Sequence, residues 1–215
     1  MTGDRRKFSR QNEDERRSAL ISAAIDLISD GGPTSATVRA IAQRAGVTPG
    51  LIRHYFATKE ALMRAAYAHV MDSMTQASLA VVATAPDRPE ARLAVFVASS
   101  LRPPVIDPNA MGLWAGFLHQ MRRDADMRAA HEASYLHYRD LLQGLIADLP
   151  RTADAARLRA EAIACNAVID GLWLEGSALP HAFEVGELEQ IGLRSVGAIL
   201  GLDLAAHMPD EGKTV

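Results

Sequence analysis

Residues 37–59 read TVRAIAQRAGVTPGLIRHYFATK: two short helical segments separated by a glycine, then the start of a third. Thr37 can cap the first segment by offering its hydroxyl to an unpaired helix-start N–H, after which Val38, Ile41 and Ala42 share one apolar face. Gly46, which has no Cβ, is placed to end that helix at positive φ, and Ala45 beside it is small enough for close helix approach. Thr48 is expected to cap the second helix, with Pro49 at the first position, where a missing N–H costs nothing. Leu51, Ile52 and Phe56 can pack inward, which groups Arg53, His54 and Tyr55 on the other side. Those are residue types that read groove edges, so the stretch predicts a helix-turn-helix.

Lys59 carries the same reading further. Thr58 is a candidate N-cap, which places Lys59 in the first turn of the next helix, where the macrodipole disfavours a cation by a few tenths of a kcal/mol. A phosphate reverses that sign, because a lysine and exposed helix-start N–H groups together form an anion site.

The chain has 215 residues, of which 48% are hydrophobic, enough to build a proper core in one large or two small domains. Aromatics are scarce at 5% and alanine is plentiful, which favours helices over strands. The net charge of −3 is unevenly placed: residues 1–60 hold ten Lys/Arg against seven Asp/Glu, and the remainder thirteen against nineteen. Only the front end suits a polyanion. Within it, Arg5, Arg6, Lys7 and Arg10 precede the first apolar helix and suit either a disordered solubilising tail or a flexible arm along the DNA backbone or minor groove. A single cysteine, Cys165, excludes an internal disulfide and a cysteine-cluster zinc site. With a polar N-terminus and no long apolar run, the chain is expected to be cytoplasmic, without a membrane partner.

The ten prolines, at 33, 49, 86, 89, 103, 104, 108, 150, 180 and 209, punctuate segments of helical periodicity. A first helix is expected over 13–29 with Leu20, Ile21, Ala24, Leu27 and Ile28 on one face. A fourth can run uninterrupted from 59 to 83, and further helices are expected at 88–101, 109–122, 126–149, 153–178 and 184–203. That makes an all-α chain of about nine helices.

The motif resembles the DNA-binding half of the tetracycline-repressor (TetR) family. Its pattern shows in Thr37-Val38-Arg39, Ile41-Ala42, Ala45-Gly46-Val47, Thr48-Pro49-Gly50, Tyr55-Phe56 and Lys59-Glu60-Ala61-Leu62. The resemblance implies that Thr37, Arg39, Thr48, Pro49, Gly50, Leu51, Arg53, His54, Tyr55 and Lys59 face a double-stranded DNA operator. Most relatives carry an aromatic where this chain has Arg53, so the group read there is expected to differ. The implied organisation is an arm and helix-turn-helix domain over 1–58, a helical effector-binding and dimerisation domain over 59–205, and a tail over 206–215.

In this family the last two long helices form a homodimer's four-helix interface. Here Leu158, Ala162, Cys165, Ile169 and Leu172 make one stripe, and Leu188, Ile191, Ser195 and Ile199 another, with Gly192, Gly197 and Ala198 allowing close contact; an intramolecular core explains both stripes equally well. Two recognition helices about 34 Å apart on a two-fold axis double the bases read, so a homodimer on a palindromic operator is expected. The segments 114–117 and 167–174 are similar to the BetI-like subset of the family, which responds to choline. That similarity implies a small-molecule effector, cationic or aromatic/apolar, held by Trp114, Phe117, Tyr135, Tyr138 and Trp173 with a carboxylate such as Asp170 or Glu175. Effector binding is expected to tilt the long helix after Lys59 and release the operator, the action of a repressor.

An enzyme is the rival class, as is a helical small-molecule-binding protein with a degenerate motif. The seven histidines show no i, i+4 pair with an intervening glutamate, no phosphate-cradling glycine loop appears, and Cys165 lies in an apolar helix. No catalytic residue, cofactor or metal is expected.

Overall fold

The computed structural model describes residues 3–122 and 124–209, with residues 3–12 and His119 described in their backbone alone. Among these residues the chain forms nine α-helices and no strand: α1 Gly3–Gly31, α2 Val38–Arg44, α3 Pro49–Phe56, α4 Lys59–Val82, α5 Pro89–Ser99, α6 Pro108–Met121, α7 Ala125–Ala147, α8 Ala155–Ala178 and α9 Glu187–Leu200. A short 3₁₀ turn, Ala205–His207, follows. The bounds lie within a few residues of those the proline punctuation predicts, except at the front. No proline or internal glycine interrupts the chain between Gly3 and Gly31, and α1 runs the whole distance. Arg5, Arg6, Lys7 and Arg10 therefore lie on its first turns and not on a flexible arm ahead of it; their side chains fall outside the described residues.

The chain packs as two compact units. One comprises Met1–Val70 with Gly112–His131, the other Met71–Met111 with Glu132–Val215. These units do not follow the boundary the sequence suggests at 58/59, because three helices, α4, α6 and α7, each divide their residues between the two.

In the first unit the buried apolar residues include Leu20, Ala24 and Ile28 of α1, Ile41 and Ala42 of α2, Ile52 and Phe56 of α3, Leu62, Ala66 and Tyr67 of α4, and Phe117 and Met127. The turn after α1 is tied back by the Ser35 hydroxyl, which donates to the Leu27 and Gly32 carbonyls. Helix α6 approaches that turn closely: a Cβ at Gly116 would stand 2.6 Å from Cγ of Pro33, so only glycine permits the contact. Tyr67 lies edge-on to Phe117, with ring centroids 4.8 Å apart, and its hydroxyl meets Nδ1 of His131 at 2.5 Å.

The second unit is built around α5, whose residues from Leu93 to Ser99 are all buried, as expected of a helix that is apolar all round. Helix α9 packs against both α5 and α8. At Gly192 a Cβ would fall 2.2 Å from Leu101, and at Gly197 it would fall 2.6 Å from the Leu202 carbonyl. Ala162, Cys165 and Ile169 of α8 are buried in the same cluster, with Leu158 and Leu172 packed on it. The α8 stripe is therefore core of the protomer itself, while Ile191, Ser195 and Ile199 of the α9 stripe stay half-buried. The face of α8 left exposed is another one, Ile163, Ala167, Gly171 and Leu174. Leu204, 1% exposed, is core just before the expected tail, the partly buried Met208 packs the start of that tail onto it, and residues 210–215 lie outside the described residues.

Candidate nucleic-acid interface

Helix α2 begins as its sequence requires. Thr37 is extended at φ −80° and its Oγ1 accepts from the Ala40 N–H at 3.2 Å. The helix stops at Gly46, which holds φ +66°, the left-handed conformation that a side chain would strain. Thr48 occupies the N-cap position of α3 with Pro49 behind it, yet its hydroxyl makes no cap bond. The Leu51 N–H that it would satisfy instead bonds the Thr48 carbonyl at 3.0 Å, which leaves the exposed hydroxyl outside the cap. Thr58 behaves differently: its Oγ1 accepts from the Ala61 N–H at 3.1 Å and caps α4, placing Lys59 in the first turn.

Between α3 and α4 the chain turns through Ala57 at φ 56°, ψ −48°, with the Thr58 N–H 2.5 Å from the Phe56 carbonyl. This is a γ-turn of the strained hand, which a non-glycine residue adopts only where its surroundings enforce it. Here they do: Phe56 is buried on one side and the Thr58 cap fixes the other.

The inner face of α3 is Ile52 and Phe56, 1% and 5% exposed. Its outer face is Pro49, Gly50, Arg53, His54 and Ala57, all exposed, with Leu51 and Tyr55 half-buried at the edges. Thr37 and Arg39 are exposed at the start of α2, and Lys59 is half-buried. The ten residues expected at a DNA surface thus all retain solvent access. The His54 and Tyr55 rings meet edge to face, 5.1 Å between centroids, which fixes both side chains against each other.

Three other arginines of this unit are occupied. Arg44 reaches Asp30 at 3.0 Å and Asp26 at 3.9 Å, Arg64 reaches Asp124 at 3.3 Å and Asp126 at 3.5 Å, and Arg17 lies over the Phe56 ring at 5.0 Å. Arg39 and Arg53 form no ion pair with any described residue. Asp26 and Asp30 of α1 are thus engaged by Arg44.

Of the residues expected to hold an effector, Trp114 and Phe117 belong to the first unit, whereas Tyr135, Tyr138, Asp170 and Trp173 belong to the second. Phe117 is 3% exposed and serves as core against Tyr67. In the second unit, the Tyr135 hydroxyl donates to Oδ2 of Asp170, and Nδ2 of Asn166 donates to both, at 2.7 Å to Tyr135 Oη and 2.8 Å to Asp170. Burial, and after it the bond to Asp170, pushes the Tyr135 phenol up to about 12, so it stays a donor at neutral pH. Asn166, absent from the expected set, is 2% exposed, and its Oδ1 has no hydrogen-bond partner. It lies four residues before Asp170 on α8, a spacing that gains meaning only beside Tyr135 of α7. Tyr138 donates to Ser100 Oγ at 2.9 Å, and Trp173 Nε1 donates to the Val105 carbonyl at 2.9 Å. Glu175, the other carboxylate considered, is exposed on the surface. Cys165 is fully buried and its thiol is pushed up to about 12 by that burial, far from a nucleophile's range.

Among the described residues, no helix is long and apolar enough to cross a membrane and no cluster of His, Cys, Asp and Glu suits a metal ion. Residues 20–66 match the family of bacterial regulatory proteins of the tetR type, and residues 89–201 match the C-terminal domain of BetI-type transcriptional repressors. The HTH-type transcriptional regulator BetI of Burkholderia thailandensis is 32% identical over 169 residues, covering 79% of this chain and 85% of that protein. Its counterpart in Burkholderia mallei is 33% identical over 162 residues, 75% of this chain and 82% of that one. A crystallised transcriptional regulator from Pseudomonas aeruginosa PAO1 superposes with a TM-score of 0.79 at 30% identity, over 93% of this chain and 97% of the other. A regulator from Saccharomonospora viridis, crystallised in complex with choline, shares the fold at a TM-score of 0.68 and 19% identity, over 83% and 94% of the two chains. With a capped helix-turn-helix, an all-helical second unit and both halves matched in register, the chain belongs to the TetR family of DNA-binding transcriptional regulators, with a BetI-type C-terminal domain, and is not an enzyme.

Proposed function

We propose that this regulator acts in the cytoplasm as a homodimeric repressor, binding a palindromic operator through α3 and the start of α4 and releasing it when a small cation enters the second unit. The observation that carries the DNA reading is the exposed outer face of α3, with Arg53 and His54 uncommitted to acidic neighbours, beside a capped helix start that bears Lys59. Lys59 sits where the macrodipole opposes it, which a phosphate turns to advantage. A mobility-shift titration against the DNA upstream of its own coding region tests the proposal. Lys59→Gln should weaken every duplex alike and lower the salt slope by about 0.9 for each phosphate no longer neutralised, without altering sequence choice. A chain retaining only a degenerate motif would shift no duplex at any salt concentration.

The dimer reading is supported by the apolar face of α8, where Ile163 and Leu174 are 40% and 39% exposed with Ala167 and Gly171 between them. Charged groups are absent from these four positions, and the small central pair lets a second helix approach closely.

The effector reading is supported by Asp170, a carboxylate that accepts from Tyr135 of α7, with Tyr138 three residues beyond Tyr135 and Trp173 three residues beyond Asp170. Aromatic faces with a carboxylate favour a cation, and the neighbour holding choline supplies the probe. Choline-driven release of operator should be weakened at least about tenfold in Asp170→Asn, on the worth of a desolvated charge contact, with operator affinity in the absence of choline unchanged. Equal release by both proteins would remove Asp170 from the site.

A further inference from the structure

We infer that Arg53 reads a guanine in the major groove, so that each operator half-site carries one G·C pair whose identity depends on this side chain. The inference rests on α3 being the recognition helix and names what that helix recognises.

Three observations lead to it. Arg53 stands in the middle of the exposed face of α3, one turn from Pro49 and Gly50 on one side and from Ala57 on the other. None of those three has a side chain that reaches as far as a guanidinium. A Cβ built at Gly50 would meet nothing within 4 Å, so the helix presents bare backbone there. A surface of this profile can lie close against a groove floor, with Arg53 as its longest projection.

The second observation is electrostatic. Arg44 and Arg64 are held by carboxylates and Arg17 by an aromatic face, while the Arg53 guanidinium meets no acid among the described residues. Its planar fork of donors is available for a bidentate acceptor. On a base edge, the two adjacent acceptors that fit the fork are O6 and N7 of guanine. Adenine shows one acceptor beside a donor, and cytosine shows a donor, so neither accepts the fork.

The third concerns its neighbours. His54 and Tyr55 brace each other ring to ring, and Lys59 and the Thr48 hydroxyl stand at helix starts, positions suited to phosphates. Phosphate contacts of that kind set the register of α3 without reading sequence, leaving the base edge to Arg53.

The experiment selects duplexes from a randomised pool with the full-length protein and then treats them with dimethyl sulfate, which methylates guanine N7 in the major groove. With the unaltered protein, one guanine in each half-site should block binding when methylated, by roughly ten- to a hundredfold. Arg53→Ala should bind the same duplexes more weakly, lose sensitivity at that guanine and tolerate any base there, while phosphate-ethylation interference along the backbone persists. Arg53→Lys, which keeps the charge and donors for O6 and N7 without the planar fork, should recover salt-dependent affinity and part of the guanine preference. Unchanged methylation interference in Arg53→Ala, or a selected motif with no guanine under α3, overturns the assignment while leaving the DNA-binding reading intact. Failure of the unaltered protein to retain any duplex overturns both.

Discussion

Placing aspartate at both Ile163 and Leu174 is expected to give a folded monomer in sedimentation and to weaken binding to a two-half-site operator by at least about a hundredfold, the lower end of what bivalence contributes. These side chains are 40% and 39% exposed, so the protomer loses little when they become polar, and its helical content should be unchanged. Ile163 and Leu174 stand three turns apart on α8, a span of about 16 Å at 1.5 Å per residue. Two buried carboxylates per protomer, four in a symmetric interface, carry a desolvation cost that this area of contact cannot offset. Once the subunits part, each reading head binds its half-site alone and the gain from holding two heads at operator spacing disappears. A control at Ile169, 3% exposed inside the protomer, should instead unfold the chain. If the Ile163, Leu174 double variant sediments as the parent protein does, α8 does not form the interface through this face.

The helix-turn-helix was legible because its determinants are local. Thr37, Gly46, Pro49 and Thr58 each act on a backbone group within four residues, and the structure places each where that short-range chemistry directs it. Thr48 shows the limit of the same logic, since the Leu51 N–H chose the backbone carbonyl over the hydroxyl. The α8 stripe stayed open between partner interface and protomer core for a different reason. Helical periodicity identifies apolar faces but not what covers them, and on α8 two such faces exist: Ala162, Cys165 and Ile169 turned inward, and Ile163, Ala167 and Leu174 outward. Only the position of α5 and α9 decides between them. Asn166 was invisible for a related cause, because a lone polar residue in an apolar run is informative only when its partners, Tyr135 and Asp170, are known to lie alongside. The front turns of α1 were misread because basic composition says nothing about backbone state, and the uninterrupted residues from Gly3 onward continue the helix.

Glu161→Gln is expected to lower the unfolding free energy by about 3 kcal/mol at neutral pH, the low end of what breaking a buried ion pair costs. The carboxylate is 8% exposed on α8 and is gripped from two sides. Both terminal nitrogens of Arg151, in the connection after α7, donate to it, one to Oε1 at 2.9 Å, and Nε of Arg157 donates to Oε1 at 2.9 Å. A glutamine keeps the shape and loses the charge that justifies placing the Arg151 side chain, 18% exposed, in this position. Its Nε is buried without a partner already, so the site has no spare acceptor to absorb the loss. At a domain of this size, a loss near 3 kcal/mol lowers the melting temperature by roughly 6 to 12 °C. Arg157→Ala should cost less than about 1 kcal/mol by comparison, because that side chain is 58% exposed and its charge is screened. The pH dependence follows from the direction of the shift: hydrogen bonds from Arg151 hold the Glu161 carboxyl below the usual carboxylate range, against the opposing effect of burial. A carboxyl depressed on folding contributes its full stability above its unfolded value, near 4.3, and loses it as the pH falls through the native value. The difference between the parent protein and Glu161→Gln should therefore be constant from about pH 6 to 8 and shrink as acid is added below about pH 4. Urea unfolding at pH 7 and pH 3.5 makes the comparison directly; a difference of the same size at both would mean that packing around α8, and not the ionised carboxylate, holds the α7–α8 connection in place.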